Sequence, residues 1–227
     1  MNTNDLKSKI FATSNGITQA GSALVLIDIQ EDFMPGGPLG VPGGDEILGP
    51  VEALAEIFDN VILSQDWHPA DHKSFASNHD GKAPFDIIEL HYDGEPANQV
   101  LWPDHCIQGT PGAEFRLPER VIRKAQTVIR KGFRPAIDSY SAFVENDMVT
   151  STGLAGLLKE RRITDVFFAG LALDYCVAWS ALSAKQAGLN AHVILPACRG
   201  IAPISIENMT AEMTAAGVNL ITEEDLA

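Results

Sequence analysis

Three side chains of this 227-residue chain have the types needed for acyl transfer: Cys176, Asp28 and Lys131. Cys176 follows a short apolar run, Val166–Ala169, and a small-residue turn, Gly170–Leu173, and it stands where a helical pattern begins. A thiol in the first turn of a helix lies at the positive end of the helix dipole, which favours the thiolate and lowers the cysteine pKa. Free backbone N–H groups at such a start can receive a developing oxyanion. Asp174 is placed to cap that helix. Taken alone, a cysteine in such a helix is more often a small core residue than a nucleophile. Asp28 ends the apolar run Ser22–Ile29, where a carboxylate either caps a turn or does chemistry. Lys131 follows the run Thr127–Arg130, a place where lysine is ordinarily a solvated charge. Brought together, the thiolate attacks a carbonyl, the carboxylate moves the proton and the ammonium holds the charges. Cys106 is a second nucleophile candidate, ranked lower because no helix start is evident beside it.

A second chemistry is written around Asp66-Trp67-His68. Five of the six histidines fall between His68 and His105, namely His68, His72, His79, His91 and His105. Carboxylate and neutral imidazole together suit zinc, iron or manganese. The spacing is not that of a zinc finger, and the chain has no C-x-x-C. Asp66, His68 and one or two later histidines are the candidate ligands. His105 leads the later ones because Pro103 stiffens the segment Leu101–Cys106. Phe33 sits in the Gly/Pro-rich loop Gln30–Gly44, as a pocket wall or a simple anchor, and that loop lacks the spacing of a phosphate cradle.

The elements that must position these residues alternate. Apolar runs at Ser22–Ile29, Asn60–Gln65, Thr127–Arg130, Thr164–Ala169, Ala191–Leu195 and Val218–Ile221 read as strands. Helical spacing marks Asp45–Asp59, Arg116–Ala125, Leu154–Arg162, Tyr175–Ala187 and Ile204–Ala216. The pattern predicts an α/β fold: a doubly wound, mostly parallel six-stranded sheet with helices on both faces, three layers in all. Ligands bind at the carboxyl ends of such strands. Asp28, Asp66 with His68, Lys131 and Cys176 all fall at that edge. A single domain over residues 1–227 is expected. Met1–Gly21 is a polar extension that lies along the surface, and residues 77–100 are a loop insertion in which Phe85–Tyr92 forms a short strand or hairpin.

Composition narrows the partners. A net charge of −14 disfavours nucleic acid and anionic membrane. Three widely spaced cysteines argue against a disulfide framework and fit a reducing, cytoplasmic setting. The first residues lack the apolar core of a signal peptide, and no run is long enough to span a bilayer.

The segments LIDIQEDF (Leu26–Phe33), SQDWHPADHKSFA (Ser64–Ala76), LWPDHCIQGTPGAEF (Leu101–Phe115), RKG (Arg130–Gly132), DSYSAF (Asp138–Phe143) and GLALDYCV (Gly170–Val177) run in one order along the chain. In them the chain resembles the nicotinamidases of the isochorismatase-like cysteine hydrolase superfamily. The resemblance covers most of Ala23–Arg199 and implies the isochorismatase-like hydrolase fold. It implies a catalytic triad of Asp28, Lys131 and Cys176, and one divalent metal, zinc ahead of iron or manganese, on Asp66, His68 and His105. It implies a cis peptide between Leu171 and Ala172, with the N–H groups of Ala172 and Cys176 on the oxyanion. Phe33, Trp102 and Tyr140 would wall a pyridine pocket. The implied reaction is hydrolysis of nicotinamide to nicotinate and ammonia through a cysteine thioester, in NAD salvage, with pyrazinamide as a second substrate. A homo-oligomer is compatible with the fold. The family varies in its fourth metal ligand, a place that His72 or Ser74 would stand near, and both are left out of the ligand set. The rivals within the superfamily are isochorismatase and N-carbamoylsarcosine amidohydrolase, against which D-W-H and W-P-D-H-C argue. Outside it stand a metal-dependent hydrolase with a structural Cys176, and a non-catalytic binding module.

Overall fold

The computed structural model describes residues 3–12, 19–92 and 95–226. Its centre is a six-stranded sheet, ordered β5-β2-β1-β6-β7-β8. The strands are β1 (Ser22–Ile27), β2 (Val61–Asp66), β5 (Thr127–Lys131), β6 (Asp165–Leu171), β7 (Asn190–Arg199) and β8 (Asn219–Ile221). Every pairing is parallel. The expected parallel, doubly wound sheet is therefore observed, with strand ends shifted by a residue or two except in β7, which runs four residues further. A separate antiparallel hairpin joins β3 (Ile87–Tyr92) to β4 (Glu95–Val100).

β1, β2 and β6 are buried along their whole length, which explains their unbroken apolar sequences. Successive side chains nevertheless serve opposite faces. Leu24, Leu26, Leu63, Phe167 and Ala169 meet Val51, Leu54, Ala55 and Ile57 of α2 (Leu48–Ile57). Val25, Ile27, Ile62 and Phe168 meet Leu154 and Leu158 of α4 (Leu154–Glu160) and Ala178, Ala181 and Ala184 of α5 (Ala178–Gln186). Helix α3 (Glu119–Lys124) joins the first layer through Val121, and α6 (Pro203–Ala215) joins the second through Met213.

Two elements exceed the expectation. The N-terminal extension contains a helix, α1 (Thr3–Ala12), that is more than a surface strap. Ile10 is fully buried, and the Phe11 ring packs on Phe58 at 5.1 Å and on Phe167 at 6.0 Å. Lys9 donates to the carbonyl of Leu226 in the C-terminal α7 (Glu223–Leu226) at 3.1 Å. The rest of the extension, residues 1–2 and 13–18, lies outside the described residues. β7 runs on past Leu195 through Pro196 to Arg199. It can do so because its pairing with β6 shifts register between Phe168 and Gly170, and a bulge tolerates a residue without an N–H.

The chain builds β1, β2 and β5 toward one side, then returns to β6 beside β1 and builds outward the other way. The carboxyl ends of β1 and β6 thus flank a topological switch point, the usual ligand crevice of an open α/β sheet. The two strands approach closely there: a Cβ on Gly170 would collide with the carbonyl of Ile27, and Gly170 has a left-handed φ of 129°.

Candidate active site

Asp28 leaves β1 with a φ of 46° and is fully buried. Ser64 donates to its Oδ1 at 2.7 Å. Asp66 and Lys131 end β2 and β5 and stand opposite each other in the sheet register. The Lys131 ammonium is the hub. It donates to Asp66 Oδ1, to the carbonyl of Ser139 at 2.9 Å and to Cys176 Sγ at 3.4 Å. Asp28 Oδ2 lies 2.9 Å from Nζ as a fourth contact, in a fully buried ion pair. Donor oxygens of Asp28 and Asp66 and the sulfur of Cys176 all lie within 4.8 Å of one another.

The electrostatics of this cluster follow from burial. Burial alone opposes charge on Lys131, but the carboxylates of Asp28 and Asp66 outweigh it and hold its pKa well above the ordinary value. Burial likewise opposes charge on Asp66, where Lys131 and His68 win and hold it well below the carboxylate range. Asp28 goes the other way: burial, with Asp66 nearby, raises it despite Lys131. Burial also pushes the Cys176 thiol well up, against the pull of Lys131 and with a further push from Asp28. The helix start does not deliver the depressed thiol pKa expected from sequence. The resting pair is a thiol beside a carboxylate that has become more basic.

The turn carrying Cys176 also differs in detail. Leu173–Val177 is a single π-helical turn, and α5 begins after it. Asp174 does not cap this turn. Its carboxylate faces the start of α6, where it accepts from Ile201 N at 2.9 Å, Ala202 N at 3.2 Å and the Ser205 hydroxyl. The peptide between Leu171 and Ala172 is cis, as the resemblance implied.

Asp66, His68 and His105 converge beside the cluster. His68 Nδ1 is 2.9 Å from the carbonyl of Gly132, and His105 Nδ1 is 2.8 Å from that of Pro103. A carbonyl only accepts, so both Nδ1 atoms carry a proton, and in the neutral rings the two Nε2 atoms offer their lone pairs to a cation. These lie 3.6 and 3.8 Å from Asp66 Oδ2. Those gaps are too long for hydrogen bonds and close to the spacing of neighbouring ligands on one ion with bonds of about 2.0–2.2 Å. The donor set therefore fits a divalent cation. Local structure fixes it: Cys106 O accepts His68 N–H at 3.1 Å, and Asp32 Oδ2 accepts Cys106 N–H at 2.7 Å. Gln30 clamps Asp66 by accepting its N–H and donating to its carbonyl, both at 2.8 Å.

The remaining candidates separate cleanly. His72 sets Nδ1 against Ser74 Oγ at 2.7 Å and Nε2 against Ile137 O at 3.3 Å, and burial brings its pKa down to about 4. It shares a second buried cluster with His68 and Asp138. His79 bonds the Lys73 carbonyl, and His91 pairs with Glu89 on the exposed hairpin. Cys106 is buried, with Sγ 3.9 Å from Gly112 O, and burial raises its pKa.

A pocket opens above the cluster, lined by Phe33, Trp102 and Tyr140 together with Leu39, Tyr175 and Ile201. Asp66, His68, His105, Ala172 and Cys176 form its floor, with Asp138 and Ser139 at the side. Trp102, Tyr140 and Tyr175 meet edge to face at 5.0–6.2 Å. Tyr175 is a pocket residue that sequence patterning misses, although its place beside Cys176 in one tight turn is a usable signal. Leu39 and Ile201 arrive from distant loops and left no local signal.

Fold and site together define a class. The chain belongs to the isochorismatase family: the isochorismatase domain model matches residues 22–225. The chain is 50% identical over 205 residues to the nicotinamidase of Acinetobacter baylyi, covering 90% of this chain and 94% of the relative. A solved nicotinamidase/pyrazinamidase of Acinetobacter baumanii superposes with a TM-score of 0.86 at 51% identity, over 92% of this chain and 99% of that one. The pyrazinamidase of Pyrococcus horikoshii, solved in complex with zinc, superposes with a TM-score of 0.71 at 33% identity, over 89% of this chain and 99% of that one.

Proposed function

We propose that this chain hydrolyses nicotinamide to nicotinate and ammonia through a thioester on Cys176, feeding NAD salvage, and that it accepts pyrazinamide in the same slot. The observation that carries the reading is the Lys131 ammonium in contact with Cys176, Asp28 and Asp66 at once, beneath an aromatic pocket.

Asp28 takes the thiol proton of Cys176, and the sulfur attacks the carboxamide carbon. The oxyanion forms against the N–H groups of Ala172 and Cys176. Asp28 returns the proton to the departing ammonia. It then deprotonates a water that attacks the nicotinoyl thioester, releasing nicotinate and restoring the thiol. Lys131 holds the two carboxylates and the sulfur in register through both halves. Phe33, Trp102 and Tyr140 wall the pyridine ring. Asp66, His68 and His105 would hold one divalent cation, zinc by the chemistry of one carboxylate and two imidazoles. Bound there, it supplies an anchor for the ring nitrogen, directly or through a water.

The whole chain acts as one domain, with residues 77–100 inserted into it. All three cysteines are free and buried, which supports a reducing, cytoplasmic setting. The test is ammonia release from nicotinamide by the purified protein, with Cys176→Ala alongside. Release that falls at least about 10³-fold in the mutant is the expected result. Release that survives Cys176→Ala would transfer the chemistry to a metal-bound hydroxide. No release from folded, metal-loaded protein would point to other small amides and N-carbamoyl compounds.

A further inference from the structure

The hairpin β3–β4 lies outside every motif that builds the catalytic cluster, and its strands are mostly exposed. One residue breaks that pattern. Gln99 is the only buried residue of the two strands, 1% exposed, and it is polar. A buried carboxamide is kept only where its hydrogen bonds are met, and its partners show what it serves. Gln99 Nε2 donates to its neighbour's carbonyl, Val100 O, at 2.8 Å. It also donates to Asp138 Oδ2 at 2.8 Å and lies 3.3 Å from the Tyr140 hydroxyl, which shares those N–H groups. Its Oε1 faces the Tyr92 hydroxyl at 3.4 Å. Asp138 and Tyr140 both line the pocket.

A second contact comes from the base of the hairpin. Phe85 is 60% exposed and holds a φ of 75°, a conformation bulky residues rarely adopt. Its ring stands edge-on to Trp102 at 6.0 Å. The backbone ties the two segments together, with Phe85 N donating to Leu101 O at 2.6 Å and Leu101 N to Asp86 O at 2.8 Å. The inserted segment thus backs two walls of the pocket, Trp102 through Phe85 and Tyr140 through Gln99.

We propose that the hairpin is part of the substrate-binding apparatus, and that Gln99 is the positioning residue through which it sets the Tyr140 wall. This rests on the reading of Tyr140 as a wall of the nicotinamide pocket. Gln99 touches neither Cys176 nor Lys131, and its other partner, Asp138, reaches Lys131 only through the Ser139 backbone, so its effect falls first on substrate affinity.

The test is steady-state hydrolysis of nicotinamide by Gln99→Leu, Tyr140→Phe, the double variant and Tyr140→Ala, with thermal unfolding of each. Gln99→Leu is expected to raise KM about five- to tenfold, the size of one hydrogen bond, with kcat within about twofold of the parent. Tyr140→Phe removes the other end of the same contact. The double variant should therefore show no more than the larger single effect, since residues sharing one interaction are not additive. Gln99→Asn, a methylene short of its partners, should raise KM as well, and it carries the test if the leucine variant fails to fold. The proposal is overturned if KM stays within twofold in the Gln99 variants, if the two single effects multiply, or if kcat falls while KM holds. Should Tyr140→Ala raise KM and the Gln99 variants not, the inference alone fails. Should Tyr140→Ala leave KM unchanged, the wall reading fails and takes the inference with it.

Discussion

Asp28 Oδ2 lies 2.9 Å from Lys131 Nζ inside a buried cluster that also holds Cys176. The lysine divides its charge among Asp28, Asp66, Ser139 and Cys176, so burial still raises the Asp28 pKa and leaves the carboxylate a better proton acceptor. Asp28→Asn removes the base and keeps the shape. Turnover should fall about 10²–10⁴-fold. The Cys176 thiol should at the same time become more acidic, because Asp28 pushes its pKa up and Lys131 pulls it down. The pH profile of iodoacetamide alkylation at Cys176 measures this. A profile that stays in place or moves to higher pH would contradict the electrostatic account.

The proposed metal cradle depends on a glycine. Gly132 has a φ of 62°, accepts from His68 Nδ1, and has no room for a Cβ, which would collide with the His68 ring. Gly132→Ala should turn His68 away from Asp66 and His105. Metal content per chain, measured by elemental analysis after desalting, should fall well below that of the parent while the far-ultraviolet spectrum is kept. Full metal occupancy in the variant would show that His68 is not positioned in this way.

His192, a buried histidine outside the site, is a device of stability. Its ring stacks on Phe167 at 4.3 Å, faces Asp165 at 3.2 Å and Asn219 at 3.1 Å, and has Lys185 nearby. Burial lowers its pKa, and Asp165 only partly restores it. A histidine depressed in the folded state contributes its full stability above the unfolded value of about 6.5. As pH falls below that, the unfolded chain takes the proton first and stability drops. Urea midpoints at pH 7.5 and 5.0 should therefore diverge less in His192→Phe than in the parent. Equal divergence would assign the acid sensitivity elsewhere.

The sequence was most legible where one local pattern had one meaning. The unbroken apolar runs at β1, β2 and β6 could only be strands buried on both faces, and the reactive residues at their ends followed from parallel order. Legibility failed where a partner lay far along the chain. Asp174 has the form of a helix cap, but the helix it caps is α6, not the one it precedes, and Ile201 makes that choice only in three dimensions. Pro196 reads as a strand terminus until a register shift gives it a harmless position. Cys176 reads as a dipole-activated thiol because periodicity reports a helix start and says nothing of burial, which decides its pKa. The N-terminal helix hides because two side chains, Ile10 and Phe11, anchor an otherwise polar segment.

The switch in strand order divides the site between two halves of the chain. Asp28, Asp66, His68, His105 and Lys131 all precede the loop at Val144–Ser151, while Cys176 follows it with Ala172, Tyr175 and Ile201. The proposed nucleophile meets the proposed base only when β6 stands beside β1, with Gly170 against Ile27. A chain folded only through β1, β2 and β5 would hold the proposed cation ligands and lack the thiol. Turnover is a report on closure of the central strand pair: two complementing fragments, cut at that loop, would each be silent and become active only on association.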